Sequence, residues 1–246
     1  KPAMDPVLQA FTGFMSANSD AHGMPQRCRP IVVDMSTALY TFQALSAALF
    51  ARQHEQTGRR IEISLMEAAT NLQCVRMMQS QLEESLPDSV TAPAGIFRCR
   101  DDRHVFIVVF RQDDFVRACQ TLGLESLAND ERLQTPQQRY EHREEVNAVV
   151  AEAFLHKDTP EWLAALTDAG IQNEAVLDYG AFLDHPHVRH TDCVAWLHQP
   201  GFSDPVPMPN VPGIDKFETG TARAHAPTLG EHTHEVLSGH ATTKTS

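Results

Sequence analysis

Two aspartates stand where an acid has chemical uses. Asp34 lies in the run Arg29-Pro-Ile-Val-Val-Asp34-Met-Ser-Thr-Ala-Leu39. Three apolar residues precede it, and apolar residues follow at 35, 39, 42, 45 and 49, which is helical spacing. That pattern predicts Asp34 as the N-cap of a helix running to about Arg52, with Ala-rich turns between the apolar positions for close packing on several sides. An Asp cap stabilises a helix by about 1 kcal/mol. The same position offers a second use. A helix N-terminus favours an ionised carboxylate, and apolar neighbours strip its water, which together describe a charged, poorly hydrated nucleophile. Asp5 precedes Pro6 at the start of an earlier helix expected over residues 5–18. Its first reading is again a cap. Its second is an acid, a base or a hydrogen-bond partner for the other carboxylate. Whether the two meet stays open at this level.

Other chemistries find little footing. His185-Pro186-His187 and His232-Thr233-His234 are i,i+2 pairs without a third ligand at recognisable spacing, so no metal is expected. There is no G-x-G-x-x-G or Walker loop to cradle a phosphate, and no Ser or Cys has the context of a hydrolase nucleophile. The five Cys are scattered with no C-x-x-C, which predicts free thiols and a reducing, cytoplasmic setting. A formal charge of −12 argues against nucleic acid or an anionic membrane surface as the main partner. With 42% hydrophobic residues the chain can bury a sizeable core. The apolar run from Met35 to Ala51 approaches the roughly 20 residues of a membrane span. It carries Ser36, Thr37, Thr41, Gln43 and Ser46 and is closed by Arg52, so it reads as a buried core helix.

The elements that must hold these acids follow from periodicity and punctuation. Ile61, Ile63 and Leu65 alternate as in a strand, and Ser64 and Glu67 form an S-x-x-E capping box for a helix to about Glu84, with Leu72, Val75, Met78 and Leu82 inward. Pro87 to Pro93 reads as a linker. Strands are expected at 96–100 and 104–110 around a turn at Asp101-Asp102, and helices at 113–122, 137–156 and 160–169. Thr135-Pro136 and Thr159-Pro160 are N-cap and N1 pairs. A short strand near 193–197, an extended Pro-rich return over 200–213 and a terminal helix over 231–237 complete an α/β chain. It begins at Lys1, without Met, and enters an element at once, so an upstream part is expected.

Several blocks, in order, resemble the class III coenzyme A transferases of the carnitine dehydratase/bile-acid-inducible type. Met4-Asp5-Pro-Val-Leu-Gln9-Ala10, with Gly13, is similar to their D/E-x-x-x-Q-A…G segment. Asp34 and the Ala-rich helix to Arg52 resemble the block of the nucleophilic Asp. Thr57-Gly58-Arg59 followed by Ile61-Glu-Ile-Ser64-Leu-Met-Glu-Ala68 resembles T-G-x-G-q-x-v-x-x-S-l-x-d-A, without its second Gly and its Gln. Ala92-Pro93-Ala-Gly95-Ile-Phe97, Ala169-Gly170-Ile171 and Ala226-Pro227-Thr-Leu229-Gly230-Glu231-His232 match later blocks.

The resemblance implies part of an open-ring fold: large-domain helices plus a smaller α+β domain, in an interlocked dimer. Residues 1–65 and 214–246 would belong to the large, CoA-binding domain, 90–195 to the small one, and 66–89 and 196–213 to the linkers. The upstream Rossmann-like part of the family would precede Lys1. The implied reaction moves coenzyme A from an acyl-CoA to a carboxylic acid through an aspartyl anhydride and an aspartyl-CoA thioester, with no metal or redox cofactor and CoA as substrate. Asp34 would be the nucleophile, Asp5 an active-site acid, and Leu65 a residue lining the thiol end of CoA. Partners would be acyl-CoA, a carboxylic acid and a second copy of the chain or the missing N-terminal portion, with no nucleic acid and no membrane. Two alternatives share these residues. One is an α-methylacyl-CoA racemase, whose typical H-D-I-N-Y segment is replaced here by Met4-Asp5-Pro6. The other is a non-catalytic fragment or subunit.

Overall fold

The structure, a computed structural model, describes residues 3–20, 22–55, 57–82, 91–218 and 225–238. The linker expected from Pro87 lies mostly outside them. The chain divides into two compact units, Lys1–Val90 and Thr91–Ser246.

The first unit is helical among its described residues. α1 (Asp5–Phe11) and α2 (Phe14–Ala17) replace the single helix expected over 5–18. They part at Thr12-Gly13, where the Thr12 hydroxyl donates back to Leu8 O at 2.7 Å and Gly13 takes φ +83°, a left-handed conformation that suits glycine. α3 (Val32–Glu55) runs for 24 residues. α4 (Leu65–Leu72) opens on the expected capping box: Ser64 Oγ accepts from Glu67 N at 3.1 Å, and the Glu67 carboxylate accepts from Ser64 N at 3.0 Å. α5 (Cys74–Leu82) follows after a break at Gln73, so the expected helix from residue 65 is two segments. The Gln73 amide donates to Ala69 O at 2.9 Å and to Thr12 Oγ1 at 3.2 Å, tying the end of α4 to the end of α1. The strand expected over 61–65 does not form. Residues 57–64 have no partner strand among the described residues, and alternation without a ladder leaves the backbone unpaired.

Leu8, Val33 and Ala69 form the small core of this unit, with Val32 and Leu65 packed against it. The apolar stripe of α3 faces the other way. Leu39 is 68% exposed and Phe42 71%, and Met35, Leu45 and Leu49 are exposed as well. Leu72, Val75, Met78 and Leu82 repeat this on α4 and α5. The second stripe was expected on an inner face, and α3 was expected as a buried core helix. Helical period identifies which residues share a face and carries no information on what covers that face. No described helix is long and apolar enough to cross a membrane.

The second unit is built on a three-stranded antiparallel sheet, β1 (Ala94–Arg98), β2 (His104–Val108) and β3 (Gln172–Ala175), in that order. Ile96 pairs with Phe106 and Phe106 with Glu174. The turn falls at Asp101-Asp102 as expected, with Asp102 at φ 59°. Helices α6 (Gln112–Leu122), α7 (Glu125–Ala128), α8 (Pro136–Glu141), α9 (Arg143–Phe154) and α10 (Thr159–Asp168) close over the inward residues Phe97, Val105 and Ile107. The helix expected over 137–156 is interrupted at His142, and the N-cap expected at Thr159 falls one residue earlier, at Asp158. Phe97 stacks on Phe154 at 5.0 Å, and Trp162 Nε1 donates to Phe154 O at 2.9 Å. Arg139 is fully buried and has no carboxylate partner among the described residues. It donates to Ala92 O at 3.0 Å, to Phe110 O at 2.9 Å and to Gln112 Oε1. Burial lowers its pKa from the usual guanidinium value. α11 (Tyr179–Asp184) and α12 (Pro186–Thr191) precede β4 (Val194–Leu197), which pairs antiparallel with β5 (Val206–Pro209) in the Pro-rich stretch; α13 (Thr233–Leu237) ends the described chain.

Candidate active site

Asp34 is not the N-cap of α3. The helix starts two residues earlier, at Val32, which puts Asp34 third in the first turn. The residue before Val32 is Ile31, whose side chain has no acceptor. The acceptor comes from elsewhere. Oδ2 of Asp5 takes Val33 N at 2.7 Å and Asp34 N at 3.3 Å, the second and third amides of the helix. Those are the two amides that a capping side chain normally satisfies. Asp5 does so from the first residue of α1, 28 positions away in sequence. The two acids therefore meet, through the carboxylate of one and the backbone of the other. Asp5 is 1% exposed, whereas Asp34 is exposed, and among the described residues its side chain makes no hydrogen bond or ion pair.

The other oxygen of Asp5, Oδ1, accepts from Gln9 Nε2 at 2.6 Å. Gln9 is fully buried one turn further along α1. It also spans to the connection before α3: its Nε2 donates to Cys28 O at 3.1 Å, and its Oε1 accepts from Cys28 N at 3.0 Å. Gln9 was not among the expected site residues. The signal was present in the D-x-x-x-Q spacing, since residues four apart on a helix are neighbours.

Leu65 is the first residue of α4 and packs, half-buried, against the Leu8, Val33 and Ala69 cluster. Asp5, Asp34 and Leu65 are thus gathered around one small core, with α1, α3 and α4 each contributing its N-terminal turn. Below the first turn of α3 lies a buried polar network; above it stands one free carboxylate at the positive end of a 24-residue helix. The first His pair has a structural use instead: His185 Nδ1 accepts from His187 N at 3.2 Å and caps α12.

These features can be set beside known proteins. A family model described as CoA-transferase family III matches residues 1–233. The chain is 30% identical over 240 residues to an acyl-CoA transferase of Fusarium pseudograminearum, covering 95% of this chain and 52% of that protein. It is 23% identical to the succinate–glutarate CoA-transferase of Agrobacterium fabrum, over 95% of this chain and 59% of the relative. It is 24% identical to the human succinyl-CoA:glutarate CoA-transferase, over 95% and 54%. The chain therefore spans little more than half the length of these relatives. Among solved structures, a CaiB/BaiF family protein from Brucella suis superposes with a TM-score of 0.79 at 20% identity, over 97% of this chain and 63% of that one. Rv3272 from M. tuberculosis gives 0.78 at 22%, over 94% and 62%. Fold, motif order and family match agree along nearly the whole length, and the chain belongs to CoA-transferase family III.

Proposed function

We propose that this chain carries the nucleophile of a coenzyme A transferase, and that the nucleophile is Asp34. The observation that carries the reading is the contrast between the two acids. Asp5 is buried and committed as a cap, while Asp34 is exposed, without a side-chain partner, in the first turn of α3. The positive end of the helix dipole lies at this turn. In the reaction, an oxygen of the Asp34 carboxylate attacks the carbonyl carbon of an acyl-CoA thioester. The C–S bond breaks, giving a mixed anhydride and CoA thiolate. The thiolate then attacks the aspartyl carbonyl of the anhydride, releasing the donor acid and leaving an aspartyl-CoA thioester. An acceptor carboxylate runs the same two exchanges in reverse. Each step replaces one acyl bond with another, so the chemistry calls for neither metal nor redox cofactor. CoA is a substrate. The family resemblance would put Leu65, which packs on the same small core as Val33, at the thiol end of CoA. Asp5 takes part through the backbone of the first turn that it caps.

Two of the relatives act, by name, between succinyl-CoA or succinate and glutarate, so succinyl-CoA and glutarate are the first pair to assay. The racemase alternative gains no support from relatives named as transferases. A second copy of the chain is the proposed partner, and the exposed stripe of α3 is what supports it. The test is chemical trapping. The protein at full length is incubated with succinyl-CoA and hydroxylamine, which attacks either aspartyl intermediate, and the peptide spanning Asp34 is examined by mass spectrometry. A hydroxamate on Asp34 is expected. The Asp34→Asn variant should form none and should lose transfer by about a thousandfold or more. Transfer at the parent rate in that variant ends the reading.

A further inference from the structure

We propose that Gln9 is a positioning residue for Asp34: its amide orients the Asp5 carboxylate, and through it the first turn of α3. The inference rests on the reading of Asp34 as nucleophile. Three observations lead to it. First, Gln9 is fully buried, yet each polar atom of its side chain has a partner. Second, its orientation is determined. Cys28 offers one backbone donor and one backbone acceptor, so the amide has a single way round, with Oε1 on Cys28 N and Nε2 on Cys28 O. The same Nε2 then faces Asp5 Oδ1 at 2.6 Å. Third, the other oxygen of Asp5 holds the amides of Val33 and Asp34. A chain of hydrogen bonds runs from the connection before α3, through Gln9 and Asp5, to the backbone of Asp34. Without the Gln9 donor, Oδ1 of Asp5 is a buried acceptor with no partner, and the carboxylate can turn away from the helix it caps. A displacement of about 1 Å in a reacting group is enough to lower a rate a hundredfold.

The chemistry of the site supplies a test that a volume-filling role does not pass. In Gln9→Glu the shape is kept. When the introduced carboxyl is protonated, its O–H donates to Asp5 Oδ1 while its carbonyl accepts from Cys28 N, and only the bond to Cys28 O is given up. When it ionises, two carboxylates face each other in a buried space and the donor is lost. Like charges at this separation raise the pKa, so the switch falls above the usual carboxylate range. Few other groups bear on it. Asp5 lies on its own helix, Asp34 at the start of α3, and Cys28 in the connection, where the flanking Arg27 and Arg29 are exposed. α4 contributes buried Ala68 and Ala69, and its Glu67 is committed to Ser64.

The experiment measures kcat and KM with succinyl-CoA and glutarate for the full-length parent and the Gln9→Glu variant from pH 5.5 to 8, per folded molecule, with folding read by circular dichroism at each pH. The expected kcat ratio of variant to parent is near one at pH 5.5 and falls by about tenfold or more by pH 8, while KM for succinyl-CoA moves by less than about twofold. A ratio that stays flat across the range, at any level, overturns the inference, because lost stability or volume alone does not follow this proton. A variant that stays unfolded at pH 5.5 also overturns it, since the protonated side chain can make the bond to Asp5. A parent that forms no hydroxamate on Asp34 overturns the nucleophile and the positioning role together, and that outcome is distinct from a flat ratio in an active parent.

Discussion

Asp34 and Asp5 respond oppositely to substitution because one is exposed and the other is enclosed. In Asp34→Asn the capping bonds of α3 are untouched, since Asp5 makes them. Only the attraction between a charge and the helix terminus is lost, about 0.3–1 kcal/mol at an exposed site. Stability should therefore change by less than about 1 kcal/mol while transfer is abolished. Asp5→Ala is the reverse case. It strips the amides of Val33 and Asp34 and the amide of Gln9 of their acceptor. Lost caps cost about 0.5–2 kcal/mol and unsatisfied buried donors about 1–3 kcal/mol each, so a loss of about 2–4 kcal/mol is expected in urea unfolding, read as a lower midpoint at unchanged slope. An Asp5→Ala protein as stable as the parent would show that the cap is not made. Sequence alone singled out both acids, by their place before apolar helical runs. It misassigned the cap, because the acceptor for the first turn of α3 comes from another helix and local spacing cannot reveal a partner 28 residues away. The i,i+4 spacing from Asp5 marked Gln9, but two of its three bonds are to Cys28, which that spacing does not reveal.

Elements whose signals are local were legible. Ser64 with Glu67, and Thr135 with Pro136, mark helix starts by neighbouring groups, and the structure places helix starts there. The turn at Asp101-Asp102 sits between two runs of β-branched and aromatic residues and pairs as expected. Elements that depend on distant partners were not legible: the alternation over 61–65 found no strand to pair with, and β3 pairs with β2 across more than 60 residues of intervening chain. The stripe of α3 is the instructive case. Its spacing is regular, yet Leu39 and Phe42 lie in the open. Apolar patches of this kind are covered in a working protein. Under the proposed association of two copies through this face, the parent should sediment as a dimer at micromolar concentration. Leu39→Glu combined with Phe42→Glu should shift it towards monomer without loss of helical content. A parent that sediments as a stable monomer contradicts the proposed partner.

At the scale of the whole chain, the five thiols report on packing within each unit. Cys74 and Cys193 are exposed, and Cys28 is half-buried. Cys99 and Cys119 lie in the core of the second unit, where burial raises both thiol pKa values, that of Cys119 up to about 12. A raised pKa keeps the thiol neutral and unreactive. Iodoacetamide should therefore label the exposed Cys74 and Cys193 in the native protein, and leave Cys119 unlabelled from pH 7 to 9 until the protein is unfolded. Labelling of native Cys119 at the rate of Cys193 would show that this core is open.

The bond from Asp5 to Val33 has one more consequence, for how the site comes into being. It closes a loop of 28 residues, and the entropy of closing such a loop is about 3 kcal/mol. One hydrogen bond contributes less than that, so the packing of Leu8 against Val33 and Ala69 has to share the work. Helix formation takes about a microsecond, but α3 acquires its finished first turn only when α1 docks. The setting of Asp34 thus depends on docking between distant parts of the chain, and a substitution that loosens α1 leaves the first turn of α3 without its cap.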